Sequence, residues 1–517
     1  MATVKINEKL VSIIKDKRKK KKLTQKDMAE YLQISFSNYQ RLEANKYETY
    51  DQNLLKQIAV KLEIDDSWLL MGLPGVAYLS GTADAAWTAI GLAIGTYVNW
   101  LVVAKRLRNY THVCGNSTTL PLFFSNRYRD NKRILSVIAA LLIIIFFVPY
   151  TASGFAACGK LFANLFGMDY LPAMLISAIV IVAYTTLGGF LAASTTDFVQ
   201  SIVMTIAIVV VFGFGISKVG SFSAVMDNAK SMAGYFSLTH THDVATGTAS
   251  PYSLLQIFST LAWGLGYFGM PHVLLRFMAI GDANKLKLSR RVATVWVVIS
   301  MAVSVFIGVI GNAMTKAGVL PTLKDPETII LVVADLISKH GVLATIIAGL
   351  ILAGILAATM STADSQLLAA SSSASQNILK EVFMKDMSEK TGMLIARITV
   401  LVIALIGVFI ARNPDSSVFQ IVSFAWAGFG ASFGPLVLLA LFWKRSTFQG
   451  ALCGMVSGGV MVFVWKFLIR PMGGALGIYE LLPAFLLGLA VNVIVSLLTP
   501  APSREVQDEF DKVASMK

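Results

Sequence analysis

Long windows without a charged residue dominate this chain and restrict what it can fold into. A helix needs about 20 apolar residues to cross the hydrocarbon of a bilayer. The ten charge-free windows are Ala86–Ala104, Ile134–Gly159, Leu171–Thr196, Phe198–Ser217, Tyr252–Leu275, Val292–Thr315, Gly341–Ala363, Ser416–Trp443, Ser446–Trp465 and Leu481–Ser503. An additional, shorter window, Leu394–Ala411, contains Arg397, whose long side chain can reach water from a helix end. Eleven windows in series predict an all-α, polytopic membrane helix bundle.

The composition agrees with this interpretation. Hydrophobic residues make up 55% of the chain and charged residues only 14%, against about 25% charged residues in a soluble protein. The three cysteines, Cys114, Cys158 and Cys453, have no metal or disulfide spacing. These residues therefore indicate neither metal nor redox chemistry, and we expect neither an enzyme nor a cofactor.

Residues 1–70 differ from the rest of the chain. They contain 14 Lys and Arg and 10 Asp and Glu, and no long apolar window. The run Lys17–Lys22 consists of six consecutive basic residues. Such a run is typical of a solvated helix end, and equally of a contact with phosphate groups of DNA or lipid. We therefore divide the chain into a small N-terminal helical domain (1–70), a transmembrane domain (71–503) and a cytoplasmic tail (504–517).

The small domain has the pattern of short amphipathic helices joined by a turn. Thr24 and Ser35 are suitable N-caps for two successive helices. Apolar residues recur after each of them at helical spacing. These residues are Met28, Ala29 and Leu32 after the first cap, and Tyr39 and Leu42 after the second.

The run from Leu23 to Ser35, followed by Arg41-Leu42-Glu43, resembles the helix-turn-helix domain of phage-repressor-like regulators. The resemblance covers about residues 6–70, and in that family the second helix enters the major groove of DNA. It implies that Gln25 contacts the DNA backbone. It also implies that the second helix presents Phe36, Ser37, Asn38, Gln40 and Arg41 to DNA.

Basic residues alternate between successive loops and orient the bundle. Cytoplasmic loops of membrane proteins carry an excess of Lys and Arg. Such clusters follow the windows that begin at Ala86, Tyr252, Gly341 and Ser416. This alternation predicts a multi-pass protein of the cytoplasmic membrane with both the N-terminal domain and the tail in the cytoplasm. The segment Trp68–Gly81, with 14 residues, is too short to span and has the length of half a helix.

Two segments rich in glycine and proline lie inside apolar windows. Broken helices of this composition form the central sites of many transporters, although composition alone favours close helix packing. Trp263–Pro271 and Trp426–Pro435 are both predicted to interrupt a helix. Near the end of a further window, the hydroxyls of Ser361 and Thr362 share one helical face with the carbonyl of Ala358. Such oxygen donors suit Na⁺, whereas most intramembrane hydroxyls bond to their own helix.

From about Trp68 to its C-terminus the chain resembles the sodium:solute symporter family. The matching runs are Trp68–Gly75, Trp263–His272, Leu356–Thr362 and Trp426–Pro435. The resemblance implies a bundle with inverted five-helix repeats that takes up L-proline together with Na⁺ by alternating access. It implies Ala358, Ser361 and Thr362 as Na⁺ ligands and Asp197 on the Na⁺ pathway. It also implies a proline pocket lined by Tyr150, Trp263, Tyr267 and Pro271.

One part of the family pattern is missing at the junction of the two domains. The resemblance implies an additional first helix and a complete second helix, and Ile64–Ser67 do not reproduce the motif found there. We therefore expect impaired coupling between Na⁺ and proline. Three hypotheses follow: a symporter with an added cytoplasmic domain, a membrane-bound DNA-binding regulator that senses proline, and a non-functional fusion.

Overall fold

The computed structural model of the chain describes residues 73–244, 246–280, 285–323, 325–383, 388–412 and 418–516. Before residue 73 it describes residues 3–4, 18–19, 24–25, 28–29, 39 and 50–51. Within the helices it leaves out the side chains of residues 164–166, 184, 187–198, 357–358, 360–361, 381–383 and 389.

The described part of the chain is almost entirely helical. Two antiparallel pairs of short strands accompany the helices: β1 (Thr3–Val4) with β2 (Tyr50–Asp51), and β3 (His240–Asp243) with β4 (Thr248–Pro251). The helices are α1 (Leu73–Ser80), α2 (Thr82–Val98), α3 (Ala104–Val113), α4 (Leu120–Arg127), α5 (Ile134–Phe166), α6 (Tyr170–Val219), α7 (Phe222–Ser231), α8 (Leu254–Leu261), α9 (Pro271–Ala279), α10 (Leu286–Lys316), α11 (Ile329–Ser338), α12 (Val342–Ser372), α13 (Glu389–Ala411), α14 (Val418–Phe442), α15 (Phe448–Val464), α16 (Leu481–Leu498) and α17 (Arg504–Ser515).

Shorter helical turns connect several of these helices. Five residues in π-helical geometry, Asn99–Val103, join α2 to α3, and α12 continues into a π-helical segment, Ser373–Phe383. A 3₁₀ turn, Pro326–Thr328, precedes α11. Between α15 and α16 the chain forms three short turns, Trp465–Ile469, Arg470–Met472 and Gly474–Gly477.

The prediction of a polytopic membrane bundle is confirmed. Among the described residues, eight helices are long and apolar enough to cross a membrane, and three apolar helices are shorter. The three shorter ones are Tyr170–Ala183, Leu254–Phe268 and Val342–Leu356. Together these eleven segments lie at the eleven predicted windows.

Two of the windows that were predicted as separate spans are joined in the structure. Leu171–Thr196 and Phe198–Ser217 belong to one helix of 50 residues, α6, instead of two helices. Asp197, predicted to lie between two spans, is therefore part of a helix, and its side chain lies outside the described residues. A straight helix of this length would extend about 75 Å, more than twice the hydrocarbon thickness.

The contacts at the ends of α6 show that it does not run straight through the molecule. Near its start, Tyr170 packs against the turn of α5 that carries Lys160, and Lys160 pairs with Glu327 just before α11. Near its end, Lys218 lies 2.7 Å from His340 just after α11. Because α11 has only ten residues, both ends of α6 lie on one side of the bundle. The helix α6 is therefore bent along its length.

The predicted half-helix before the first window forms α1, which has eight residues. It ends at Gly81, whose φ of 86° is accessible to glycine at little cost. The hydroxyl of the buried Tyr235 donates to the carbonyls of Ala77 and Tyr78 at 2.6 and 3.0 Å. These carbonyls belong to the last turn of α1, where the Gly81 amide also donates to Ala77 at 3.2 Å and the Asn312 side chain to Tyr78 at 3.0 Å. Tyr235 therefore caps this short helix inside the bundle.

The most deeply buried membrane helix is α14, and it corrects one prediction. The segment Trp426–Pro435 was expected to interrupt a helix, but α14 is continuous with Pro435 inside it. Proline cannot bond the carbonyl four residues earlier, which is that of Ala431. Gly458 on α15 approaches this carbonyl so closely that a Cβ there would collide with it, and a Cβ at Gly488 on α16 would lie only 3.0 Å from it. Their Cα–H groups can contact the freed oxygen, so the helix persists.

The described residues of the N-terminal domain agree with the predicted pattern. Gln25 is helical and follows Thr24, whose carbonyl accepts a hydrogen bond from the Met28 amide at 3.2 Å. Met28, Ala29 and Tyr39, all predicted on apolar faces, are buried. The other predicted DNA contacts, Phe36, Ser37, Asn38, Gln40 and Arg41, lie outside the described residues.

Candidate substrate and sodium site

A break in the membrane helix α8–α9 forms the centre of the candidate site. The capping box of Ser253 and Gln256 starts α8. After Leu261 the chain continues as a 3₁₀ turn over Ala262–Phe268, and Pro271 begins α9. Glycines favour this irregular backbone, and proline fits the first turn of a helix because it lacks an N–H group. The predicted interruption at Trp263–Pro271 is therefore confirmed.

Glycine also allows close packing around the break. Gly264 faces the backbones of Gly91 and Gly95 on α2, and a Cβ at any of these three positions would collide with the opposite helix. Gly266 faces the indole of Trp426 on α14 in the same way. The two interpretations of the glycines, a broken helix and close packing, thus both hold at this segment.

An aromatic cluster surrounds the break. The Trp263 ring, 7% exposed, stacks on Tyr479 with the ring centroids 5.1 Å apart and an interplanar angle of 21°. The Trp426 indole donates to the Trp263 carbonyl at 2.8 Å. Tyr267 meets the Trp426 ring edge to face at 5.0 Å. The peptide groups that the irregular turn leaves without helical partners are therefore partly bonded by side chains of neighbouring helices.

Tyr150 completes this cluster from another helix. It follows Pro149 inside α5 and is 8% exposed. It belongs to the same buried hydrophobic cluster as Trp263 and Tyr479, and Tyr267 packs against that cluster. The structure thus brings together Tyr150, Trp263 and Tyr267, three of the four residues predicted to line the proline pocket. Pro271, the fourth, is buried at the first turn of α9.

Four further residues around the break were not assigned to the pocket from the sequence. Tyr479 precedes α16, and its hydroxyl donates to the Ser423 carbonyl at 2.7 Å. The Asn99 amide donates to the Tyr267 carbonyl at 3.0 Å from the π-helical turn after α2. Phe419 and Trp426 pack on Trp263 from α14. An amide in an apolar window marks Asn99, but nothing local marks the aromatic residues, which are common in membrane helices.

The candidate Na⁺ ligands lie on α12, which packs along α5. Thr362 is half-buried, and the side chains of Ala358 and Ser361 lie outside the described residues. Gly154 of α5 faces Ala363 and Thr359, so this part of α12 adjoins the turn after Tyr150. Thr359 donates its hydroxyl to the Ile355 carbonyl at 3.0 Å, as intramembrane threonines commonly do.

A carboxylate on the same helix was missed. Asp364 is completely buried, two residues beyond Thr362. Asp364 directly follows the charge-free window Gly341–Ala363. An ionisable residue inside a membrane is a functional candidate by default. Gln366, also buried, accepts a hydrogen bond from Thr151 of α5 at 3.5 Å. This half of α12 therefore presents polar groups to the helix that carries Tyr150.

An ion cluster lies at the end of α5 beyond the aromatic residues. The Lys160 ammonium is 3.3 Å from Asp325 and 3.0 Å from Glu327. The second carboxylate oxygen of Glu327 accepts from the Phe419 amide at 3.4 Å. Burial raises the pKa of the Glu327 carboxyl above its usual value, and the adjacent Lys160 ammonium opposes that rise. Glu327 thereby joins α5 to the start of α14.

Comparisons with known proteins place the chain in a family. The model of the sodium:solute symporter family matches residues 58–458. The osmoregulated proline transporter OpuE of Bacillus subtilis is 39% identical over 438 residues, which is 84% of this chain and 85% of that protein. A sodium/proline symporter of Staphylococcus aureus is 39% identical over 452 residues, 86% and 85% of the two chains. The chain belongs to the sodium:solute symporter family.

Two further findings concern the fold and the N-terminal domain. A solved structure of a Na⁺-coupled sialic acid symporter, in a substrate-bound outward-open state, matches with a TM-score of 0.66 and 18% identity. The match covers 84% of this chain and 87% of that one, and it confirms the transporter fold. A helix-turn-helix domain model matches residues 12–73, which confirms the helix-turn-helix resemblance of the N-terminal domain.

Proposed function

We propose that the transmembrane domain takes up L-proline together with Na⁺ by alternating access. The observation that carries this proposal is the aromatic cluster of Tyr150, Trp263 and Tyr267 at the broken helix. Its apolar walls suit the pyrrolidine ring, and the two phenol hydroxyls can orient the carboxylate and the imino group. The names of the curated relatives support the same substrate.

In this proposal Na⁺ binds on α12 next to the proline pocket. The carbonyl of Ala358 and the hydroxyls of Ser361 and Thr362 supply oxygen ligands, and Asp197 serves the Na⁺ pathway. Asp364, buried one turn beyond Ser361, is a further candidate for that pathway. Because this part of α12 adjoins α5, occupancy by Na⁺ can favour the arrangement of α5 that binds proline, which is the differential binding that coupling requires.

Uptake of labelled L-proline by membrane vesicles tests this proposal. A Na⁺ gradient is expected to drive accumulation, whereas a K⁺ gradient of the same size does not. Substitution of Ser361 or Thr362 by alanine removes a ligand and raises the Na⁺ concentration needed for half-maximal uptake about tenfold. Thr359→Ala on the same helix is the matched control, because its hydroxyl already bonds to Ile355. Uptake that is indifferent to Na⁺ would refute the proposal.

We also propose that residues 1–70 bind DNA from the cytoplasmic side. The helix-turn-helix match and the burial of Met28, Ala29 and Tyr39 support a folded domain of this type. Gln25, Phe36, Ser37, Asn38, Gln40 and Arg41 are its candidate contacts. Selection of DNA sequences by the full-length protein in nanodiscs tests this, and Arg41→Ala should reduce the retained DNA about tenfold.

The two assays together separate the three hypotheses. Uptake identifies a symporter. DNA binding that changes with added proline, in the absence of uptake, identifies a proline-sensing regulator. Absence of both activities in a folded protein identifies a non-functional fusion. Both proposals place the N-terminal domain and the tail in the cytoplasm, and tags at the two ends should be digested by protease only after the membrane is opened.

A further inference from the structure

A cleft between α6 and α10 lies outside the transport site. It has a volume of about 450 Å³, and apart from Thr205, Arg291 and Ser300 its lining is apolar. The Trp296 indole donates to the Thr205 hydroxyl at 2.9 Å and so joins the two helices across the cleft. Val292, Val295 and Ile299 are each at least half exposed. In a membrane helix such side chains face lipid, so the cleft opens sideways to the bilayer.

The cleft has the length of one lipid leaflet. Its lining on α10 extends from Arg291 to Ser300, which is about 14 Å of helix. Half of the hydrocarbon thickness is about 15 Å. An acyl chain that enters from the bilayer would therefore run along the cleft with its headgroup near Arg291.

The charges at this end of α10 specify the headgroup. Lys285, Lys287, Arg290 and Arg291 lie within seven residues. In the part of the chain that the structure describes, none of them forms an ion pair with a carboxylate. Arg290 lies over the Tyr97 ring at 5.7 Å, which leaves Arg291 at the rim of the cleft. Basic pockets between helices at the cytoplasmic face attract anionic headgroups.

We propose that this cleft binds an anionic phospholipid, with one acyl chain between α6 and α10 and its phosphate at Arg291. The guanidinium offers paired N–H donors to the phosphate oxygens. The apolar lining receives the chain, and the Trp296–Thr205 hydrogen bond forms the floor of the site. The proposal concerns lipid binding alone and does not depend on the transported solute.

Photocrosslinking tests the proposal on the full-length protein in phosphatidylcholine nanodiscs. The probes are phosphatidylglycerol and phosphatidylcholine with the same photoactivatable acyl chain, and peptide mass spectrometry locates the labels. The phosphatidylglycerol probe should label residues 292–299 at least fivefold more than the phosphatidylcholine probe. Arg291→Ala should reduce this labelling about fivefold, the effect of one cation at an anionic surface.

Two further variants make the test specific. Val295→Trp fills the cleft without a change of charge and should abolish labelling of residues 292–299. Arg412→Ala is the control, because it removes an exposed cation from the opposite end of the bundle, where Arg412 lies over the Phe409 ring. A thermal unfolding curve like that of the unmodified protein shows that each variant is folded. Equal labelling by both probes, or wild-type labelling of both cleft variants, would overturn the proposal.

Discussion

Individual aromatic residues give the candidate pocket its shape. Trp263 contacts Phe419, Trp426 and Tyr479, which come from two other segments of the chain. Tyr479 lies between the last of the turns that follow α15 and the start of α16. Its ring stacks on Trp263. Its backbone amide donates to the Ser259 hydroxyl at 2.8 Å, which restricts the movement of this residue. Tyr479 is therefore held in place against the Trp263 ring.

Substitution of Tyr479 separates its two contributions. Tyr479→Phe keeps the stacked ring and loses only the hydrogen bond to Ser423, so the proline KM should rise about threefold or less. Tyr479→Ala removes the ring, and the loss of about 1–3 kcal/mol of pocket contacts should raise the proline KM ten- to a hundredfold. Initial rates of uptake by vesicles measure both. An unchanged proline KM in Tyr479→Ala would contradict a role in the pocket.

At the scale of elements, two glycine- and proline-rich segments had opposite outcomes. Both were predicted as breaks. The segment Trp263–Pro271 breaks because Pro271 starts a new helix after a 3₁₀ turn. The segment Trp426–Pro435 stays helical because glycines of two neighbouring helices approach the carbonyl that Pro435 leaves free. The local sequence is similar in the two cases, and the neighbouring helices decide.

A glycine substitution on α15 tests this explanation. Gly458→Ala places a methyl group against the Ala431 carbonyl, and the resulting displacement should lower the free energy of unfolding by about 1–3 kcal/mol. Gly349→Ala on α12 is the matched control, because nothing lies within 4 Å of its added Cβ. Thermal unfolding in detergent measures both variants. Equal melting temperatures for the two would contradict the packing argument.

The cap of α1 is a second element whose stability can be tested. Tyr235→Phe leaves the Ala77 and Tyr78 carbonyls with one donor each, from Gly81 and Asn312, and we expect a loss of about 0.5–1.5 kcal/mol. Tyr97→Phe serves as the control, because Tyr97 is an exposed residue whose hydroxyl forms no hydrogen bond with a described residue. Urea or thermal unfolding monitored by tryptophan fluorescence provides the measurement. If both variants unfold alike, Tyr235 does not cap α1.

At the scale of the whole molecule, the C-terminal helix fastens one end of the bundle. Val506, Phe510 and Val513 of α17 are buried. The guanidinium groups of Arg106 and Arg127 lie 5.0 and 5.5 Å from the Phe510 ring. Ion pairs flank this contact, between Glu509 and Arg129 at 2.7 Å and between Asp511 and Lys444 at 2.5 Å. The tail is thus joined to two loops that the charge pattern assigns to the cytoplasm.

Phe510→Ala should release α17 from the bundle. The lost burial and cation–π contacts amount to about 3 kcal/mol, so the undocked state becomes about a hundredfold more populated. Protease should then remove a C-terminal tag from the purified protein correspondingly faster. Asp508→Ala, which changes an exposed residue of the same helix, should leave the cleavage rate unchanged. Equal cleavage of the two variants would show that Phe510 does not hold the helix.

The sequence by itself determined the class of the protein. Eleven apolar windows fixed the membrane bundle, because hydrocarbon excludes charged residues over about 20 positions. The helical spacing of Met28, Ala29 and Leu32, and then of Tyr39 and Leu42, indicated the helical N-terminal domain. The motifs around Trp263 and Thr362 indicated the family, and the resemblance supplied the residues of the candidate pocket. These features depend on composition and on local geometry, which a sequence records directly.

Only the tertiary structure decided what those residues contact. Tyr479 stacks on Trp263 although more than two hundred residues separate them, and no periodicity announces such a pair. Whether Pro435 breaks its helix depended on Gly458 and Gly488 in two other helices. The Tyr479–Trp263 stacking and the packing around Pro435 both arise between segments that are distant in the sequence. The apolar windows therefore specify a membrane helix bundle, and the packing between its helices assembles the residues of the candidate pocket.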